Sequence, residues 1–243
     1  MDNAATTALK PQVFEKMKPY FMENYANPSA VYGFAQEAKA AVEDARDSIA
    51  GLIGARANEI YFTGGGSESD NWAIKAAAIA LKEKGNHIIT SKIEHHAILH
   101  TCQFLEKYGF EVTYLDVDSD GMIDIEQLKE SIRPTTILIS IMYANNEIGT
   151  IEPVMQIGQI AREYNIIFHT DAVQAFAHIP IDVNKCNIDM MSVSGHKSRF
   201  SLYQKQCKDW RINPWRCTGE GKKSGNTQCS GNCWNGTSSH ACT

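Results

Sequence analysis

The chain has 243 residues, of which 43% are hydrophobic and 21% charged, with a formal net charge of −5. That composition is of the soluble globular class, at a length that suits one or two domains, and its acidic balance gives no reason to expect a nucleic-acid partner. The start, Asp2-Asn3-Ala4-Ala5-Thr6-Thr7, is too polar for a leader or anchor, and the longest apolar stretch, around 73–81, contains Lys75 and is too short to span a membrane.

In chain order, residues 36–53 have helical spacing, with Ala38, Ala41, Val42, Ala45, Ile49 and Leu52 on one face. Strand-like runs follow at 60–62, 87–90, 112–115, 137–142 and 166–169. Between them lie helical patterns near 71–84, 97–108, 125–132 and 157–164. Such alternation predicts an α/β unit around a largely parallel sheet. No internal repeat is present.

Composition changes after Lys197. Residues 198–243 hold seven Lys/Arg against two Asp/Glu, a balance of +5 that leaves −10 for residues 1–197. Five of the seven cysteines lie there (Cys207, Cys217, Cys229, Cys233 and Cys242), with three of the four tryptophans, one Leu, one Ile and no Val. A segment so poor in aliphatic residues cannot extend the preceding core, and from Ser224 onward its Gly, Ser, Asn and Thr content reads as disorder.

Three local patterns carry chemistry. Met191-Ser192-Val193-Ser194-Gly195-His196-Lys197 ends a strand-like run in small polar residues and then an amine, where a carbonyl cofactor could form an imine with Lys197. The plain alternative is a solvated loop lysine. Phe62-Thr63-Gly64-Gly65-Gly66-Ser67-Glu68-Ser69 lies between a strand-like and a helical segment, so its backbone N–H groups suit an oxyanion. It lacks the Gly-Lys-Ser/Thr ending of a P-loop, and a flexible turn with Ser67 as N-cap is the alternative. Phe168-His169-Thr170-Asp171-Ala172-Val173-Gln174 puts a carboxylate just past a strand end, able to hold a pyridinium nitrogen protonated or simply to cap a helix.

Metal sites are not expected. Asp116-x-Asp118-x-Asp120-Gly121 begins like a calcium loop, but Gln127 stands where a bidentate Glu is needed. His96 and His100 have zinc-like helical spacing without a third ligand.

Taken in order, Asp2-Asn3-Ala4-Ala5-Thr6-Thr7, Asn27-Pro28-Ser29, the glycine turn with Ser67-Glu68-Ser69-Asp70-Asn71, Glu94-His95, Asn145-Asn146-Glu147-Ile148-Gly149, Asp171 with Gln174, and Ser194-Gly195-His196-Lys197 resemble the NifS/IscS-type cysteine desulfurases across residues 1–197. The resemblance implies the large domain of a fold-type-I pyridoxal-phosphate transferase: a mostly parallel sheet with helices on both faces. It also implies that the C-terminal small domain is missing. The implied roles are imine formation for Lys197, ring stacking and catalysis for His95, and pairing of Asp171 with the ring nitrogen. Gln174 would contact the ring hydroxyl, Asn146 would lie near substrate and ring, and Gly66, Ser67, Ser194 and His196 would hold the phosphate. Two positions depart from the pattern: Gly66-Ser67 replaces the commoner Ala-Thr, and Tyr32 stands where His is usual.

The implied reaction converts L-cysteine to L-alanine and leaves the sulfur on an enzyme cysteine, for iron–sulfur cluster assembly or other sulfur delivery. The implied setting is a cytoplasmic homodimer that passes sulfur to an acceptor or scaffold protein. The family's nucleophilic cysteine has no counterpart here, so this chain is expected to be inactive. Another class-V aminotransferase-like enzyme and a non-catalytic remnant are the alternatives. On this reading residues 1–197 form an incomplete cofactor-binding domain, and 198–243 are an out-of-frame, disordered tail. Reading one base later turns Trp210, Trp215 and Trp234 into glycines, and Phe200 through Asn235 then admit a desulfurase-like run containing Gly-Gly-Ala-Gln-Glu and Gly-Thr. A zinc site at Cys229 and Cys233 or a disulfide-rich appendage would be the other accounts of the tail.

Overall fold

The protein is described by a computed structural model that covers residues 8–194 and the backbone of 203–204. Among the described residues six strands form one sheet in the order β2-β1-β3-β4-β5-β6: β1 His87–Ser91, β2 Glu111–Leu115, β3 Thr136–Ser140, β4 Ile167–Asp171, β5 Met190–Ser192 and β6 Tyr203–Gln204. All neighbours run parallel except β5 and β6, which pair antiparallel at Met190↔Gln204 and Met191↔Tyr203.

Parallel strands covered on both faces should read as continuous apolar runs, and β1 and β3 are buried at every residue. Their side chains alternate between two cores. Ile88, Leu138 and Met190 pack with α3 (Gly66–Leu81) and α4 (His96–Glu106). Ile89, Ile139, Phe168 and Met191 pack on the other face with α2 (Gly33–Ile53) and α6 (Val154–Glu163), beside Leu128 of α5 (Ile125–Ser131). Close approach is built in at Gly158 of α6, where an added Cβ would lie 1.9 Å from the Cys186 carbonyl oxygen.

The expected parallel α/β architecture with helices on both faces is therefore present, with differences in detail. Helix α1 (Pro11–Met22) carried no readable pattern because it buries no residue and has Pro19 inside it. The run at 60–62 forms none of the six strands: it follows a 3-10 turn at Ala57–Glu59, and Ile60 reaches only an isolated bridge position. Helix α3 begins at Gly66, five residues before the expected 71, directly out of the glycine run.

The chain passes from β1 through α4 to the edge strand β2, then crosses back over β1 to β3. This reversal of direction opens a crevice at the C-terminal ends of β1 and β3. In open α/β sheets that is where ligands bind.

Candidate active site

The residues singled out from the sequence collect at that C-terminal edge. His95 lies just beyond β1 and caps α4, its ring Nδ1 accepting a hydrogen bond from the Ala97 N–H at 3.1 Å. A neutral imidazole that accepts at Nδ1 carries its proton on Nε2. The His95 ring remains exposed. Asp171 ends β4, is buried, and accepts from the Val173 N–H at 2.9 Å. Burial raises the Asp171 carboxyl pKa, while the Val173 bond and the charge field of His95 pull the other way.

The glycine run forms the start of α3, with Gly65 as N-cap and no side-chain cap. Ser67 is thus inside the first turn, which corrects the reading of it as N-cap. The N–H groups of a first turn have no partner within the helix and face outward. Gly66 sits so close to the segments after β4 and β5 that a Cβ would lie 3.1 Å from Val173 Cγ2 and 3.3 Å from Ser194 Cβ. Gly66, Ser194 and the Asp171–Val173 turn therefore meet at one place. Ser67 and His95 also line one cavity of about 480 Å³, together with Asn71, Lys75, His96 and His100.

Gln174 is half-buried three residues past Asp171, and Asn146 is exposed in the turn after β3. The adjacent Asn145 holds that turn: its Oδ1 accepts from the Glu147 and Ile148 N–H groups, and its Nδ2 donates to the Ile93 carbonyl. His196 and Lys197 lie outside the described residues. Tyr32 is the exposed N-cap of α2, and nothing in the structure explains its departure from the usual His.

Among the described residues there is no group of three or more His, Cys, Asp or Glu side chains placed to hold a metal ion. His96 and His100 stack, ring centroids 5.6 Å apart. The acidic turn uses its own carboxylates: Asp118 accepts from the Asp120 and Met122 N–H groups, and Asp116 pairs with Lys92.

Sequence reasoning missed the polar floor beneath Asp171. Buried His169 meets Ser140 Oγ through Nδ1 at 2.9 Å and Ser192 Oγ through Nε2 at 3.0 Å, and Ser69 donates to Ser192 Oγ at 2.9 Å. Asp70 Oδ1 lies 3.8 Å from His169 Nε2 and has no hydrogen-bond partner among the described residues. The spacing resembles an ion pair, but burial drives the two groups the other way: the Asp70 carboxyl goes well up and the His169 ring down to about 3. Both shifts work against a charged pair at this contact. The available signal was His169 at the end of the apolar run 166–169 and the polar run 67–71 at the start of a helical pattern.

The aminotransferase class-V family profile matches residues 1–200. The chain belongs to the aminotransferase class-V family. Among class-V relatives, the cysteine desulfurase IscS of Clostridium botulinum (strain Hall) is 59% identical over 197 residues, which is 81% of this chain and 50% of the relative. The cysteine desulfurase IscS of Methanosarcina thermophila is also 59% identical, over 81% of this chain and 49% of its own length. The chain thus spans about half the length of these curated relatives. Among solved structures, "SspA in complex with cysteine" superposes with a TM-score of 0.83 at 46% identity, covering 86% of this chain and 62% of that one. A "NIFS-LIKE PROTEIN" gives a TM-score of 0.81 at 38% identity, with 84% and 58% covered.

Proposed function

We propose that this chain carries the pyridoxal-phosphate-binding half of a cysteine desulfurase, which takes sulfur from L-cysteine and leaves L-alanine. The observation that carries the reading is the buried Asp171 carboxylate at the end of β4, beside the place where Gly66 of the α3 N-terminus meets Ser194. The donor set fits the cofactor. A buried acid suits a protonated ring nitrogen, and an uncapped helix start approached through a glycine suits a phosphate.

In this reading Gly66, Ser67, Ser194 and His196 hold the phosphate, Gln174 the ring hydroxyl and Asp171 the ring nitrogen. His95 lies against the ring, Asn146 lies at the substrate side, and Lys197 supplies the amine that fastens the cofactor. When bound, the cofactor withdraws electrons from the substrate's α-carbon. The chain's own residues hold it in place: Asp171 keeps a proton on the ring nitrogen, and the Ala97 N–H keeps the His95 Nε2 proton pointing away from α4. The related desulfurases and the cysteine-bound SspA structure support L-cysteine as substrate over another amino acid.

The same reading includes a homodimer, a cytoplasmic setting and a sulfur-accepting or scaffold protein for cluster assembly. No helix among the described residues is long and apolar enough to cross a membrane. We also propose that residues 198–243 are read out of frame, a point the coding DNA around codons 195–200 decides. The test of the cofactor site is borohydride reduction of the full chain with pyridoxal phosphate, followed by peptide mapping. Label on Lys197 supports the assignment; label on another lysine with Lys197 free refutes it. Alanine and sulfide assays on a version extended in frame test the reaction itself.

A further inference from the structure

We propose that Glu94 is a neutral carboxylic acid that acts as a positioning residue, locking the His95 turn to the end of β3. The lock and the proton stand on this chain's geometry, and only their consequence for cofactor binding rests on the function proposed above.

Glu94 lies between Ser91, the last residue of β1, and His95, the cap of α4. Its Oε1 accepts two hydrogen bonds, from the Ser91 hydroxyl at 2.8 Å and from the Met142 N–H at 2.8 Å. Met142 lies two residues past β3, so one carboxyl oxygen ties the β1 turn to the neighbouring strand end. Asn145 adds a parallel tie, donating to the Ile93 carbonyl at 3.1 Å. The turn that carries His95 is thus held at Ser91, Ile93 and Glu94, while Ala97 fixes the ring from the other side.

The second oxygen, Oε2, is buried and has no partner among the described residues. A carboxylate with one oxygen bare in the interior is far costlier than a neutral acid in the same place. Among the described residues, no cation is found acting on it. The charged groups acting on it are Asp171 from β4 and Glu152 ahead of α6, and its own field in turn reaches Asp70 of α3 and Cys102 of α4. The neighbouring His95 ring is exposed. Burial, and then the fields of Asp171 and Glu152, push the Glu94 carboxyl up to about 8 against the two hydrogen bonds that lower it. Two donors on Oε1 give that atom the carbonyl role and leave the proton on Oε2.

A neutral acid has a near-isosteric substitute in glutamine, whose carbonyl oxygen accepts the same two bonds. An anion does not. Full-length chain labelled with 13C at glutamate carboxyls, alongside Glu94→Gln for assignment, reads the charge directly. The expected signal is that of a protonated carboxyl at pH 6.5, titrating near pH 8 and missing from the variant. Glu94→Gln should bind pyridoxal phosphate as tightly as the parent with the His95 resonances in place. Glu94→Ala should shift those resonances and weaken binding by about tenfold or more. A carboxylate signal at pH 6.5 overturns the proposal, as does Glu94→Gln behaving like Glu94→Ala. If Glu94→Ala does not fold, the parent and Glu94→Gln spectra still decide. If the parent itself binds no pyridoxal phosphate, the cofactor reading fails while the carboxyl titration and His95 resonances still judge Glu94.

Discussion

Replacing His169 by Asn should change how the stability of this fold depends on pH. The ring is fully buried, both nitrogens meet serine hydroxyls, and burial holds its pKa down to about 3 from an ordinary 6.5. Below pH 6.5 the unfolded chain takes up a proton that the folded chain refuses. The contribution of His169 is therefore complete above about pH 6.5 and is lost as pH falls toward about 3. At pH 4.5 the folded state has forgone about two units of proton affinity, or about 3 kcal/mol. An asparagine cannot titrate and keeps part of the hydrogen bonding, so His169→Asn should cost about 1–3 kcal/mol at pH 7.5. That gap should narrow by about 3 kcal/mol on going to pH 4.5, because the variant escapes the penalty. Urea unfolding followed by circular dichroism across this pH range measures the gap, and the carboxylates common to both proteins cancel. A constant gap would refute a neutral His169. A gap that widens on acidification would mean that His169 and Asp70 form an ion pair across their 3.8 Å contact.

Asp171→Ala should abolish saturable pyridoxal-phosphate absorbance at concentrations where Asp120→Ala retains it, because a buried charge-assisted bond is worth about 1.5–3 kcal/mol and a surface turn about 0.5. Equal titrations would remove Asp171 from the site. Iodoacetamide at pH 8 should leave Cys102 and Cys186 unmodified in the folded chain, since both are buried and burial pushes the Cys102 thiol up to about 12; rapid labelling of Cys102, read by mass spectrometry, would contradict this. Gly158→Ala should destabilise by about 1–3 kcal/mol in chemical unfolding, because its Cβ would meet the Cys186 carbonyl at 1.9 Å and backbone must move. An unchanged midpoint would show that α6 shifts freely.

The strands that the sequence revealed most clearly are those buried on both faces. β1 and β3 need apolar side chains in both directions, and runs such as Ile88-Ile89 and Ile137-Leu138-Ile139 leave little else to read. Helix α1 escaped because it buries nothing, and periodicity is only visible where a face is buried. The strand-like pattern at 60–62 is local, and among the described residues only Ile60 reaches a bridge position, because pairing depends on a partner that no local pattern reports. In the site, Asp171, His95, Gly66 and Ser194 stood out because each follows a strand or opens a helix. The floor did not. Ser140, His169, Ser192 and Ser69 come from three strands and a helix, and only the register Ser140↔His169 and Asp171↔Ser192 brings them together.

That floor explains how a site facing several acids can still offer one useful negative charge. Asp70, Glu94 and Asp171 act on one another electrostatically, and burial raises all three. Asp171 and Glu94 each accept a backbone N–H, but Asp171 alone of the three also has the field of His95 lowering it, so it is the acid best placed to ionise when a cation arrives. Burial favours the protonated form of the other two, and a neutral His169 adds no positive charge to compete with a ring nitrogen. The pH slopes follow from the same arrangement, with opposite signs. Glu94, raised from 4.5 to about 8, favours the folded state fully below 4.5 and loses that contribution as pH rises through about 8. His169 loses its contribution on the acid side instead, so the floor is best matched to its charges between these limits. A protonated ring nitrogen placed against Asp171 would replace solvent with one opposite charge and no second anion. Such a balance of one against one is what a buried ion pair needs if its desolvation is to be offset.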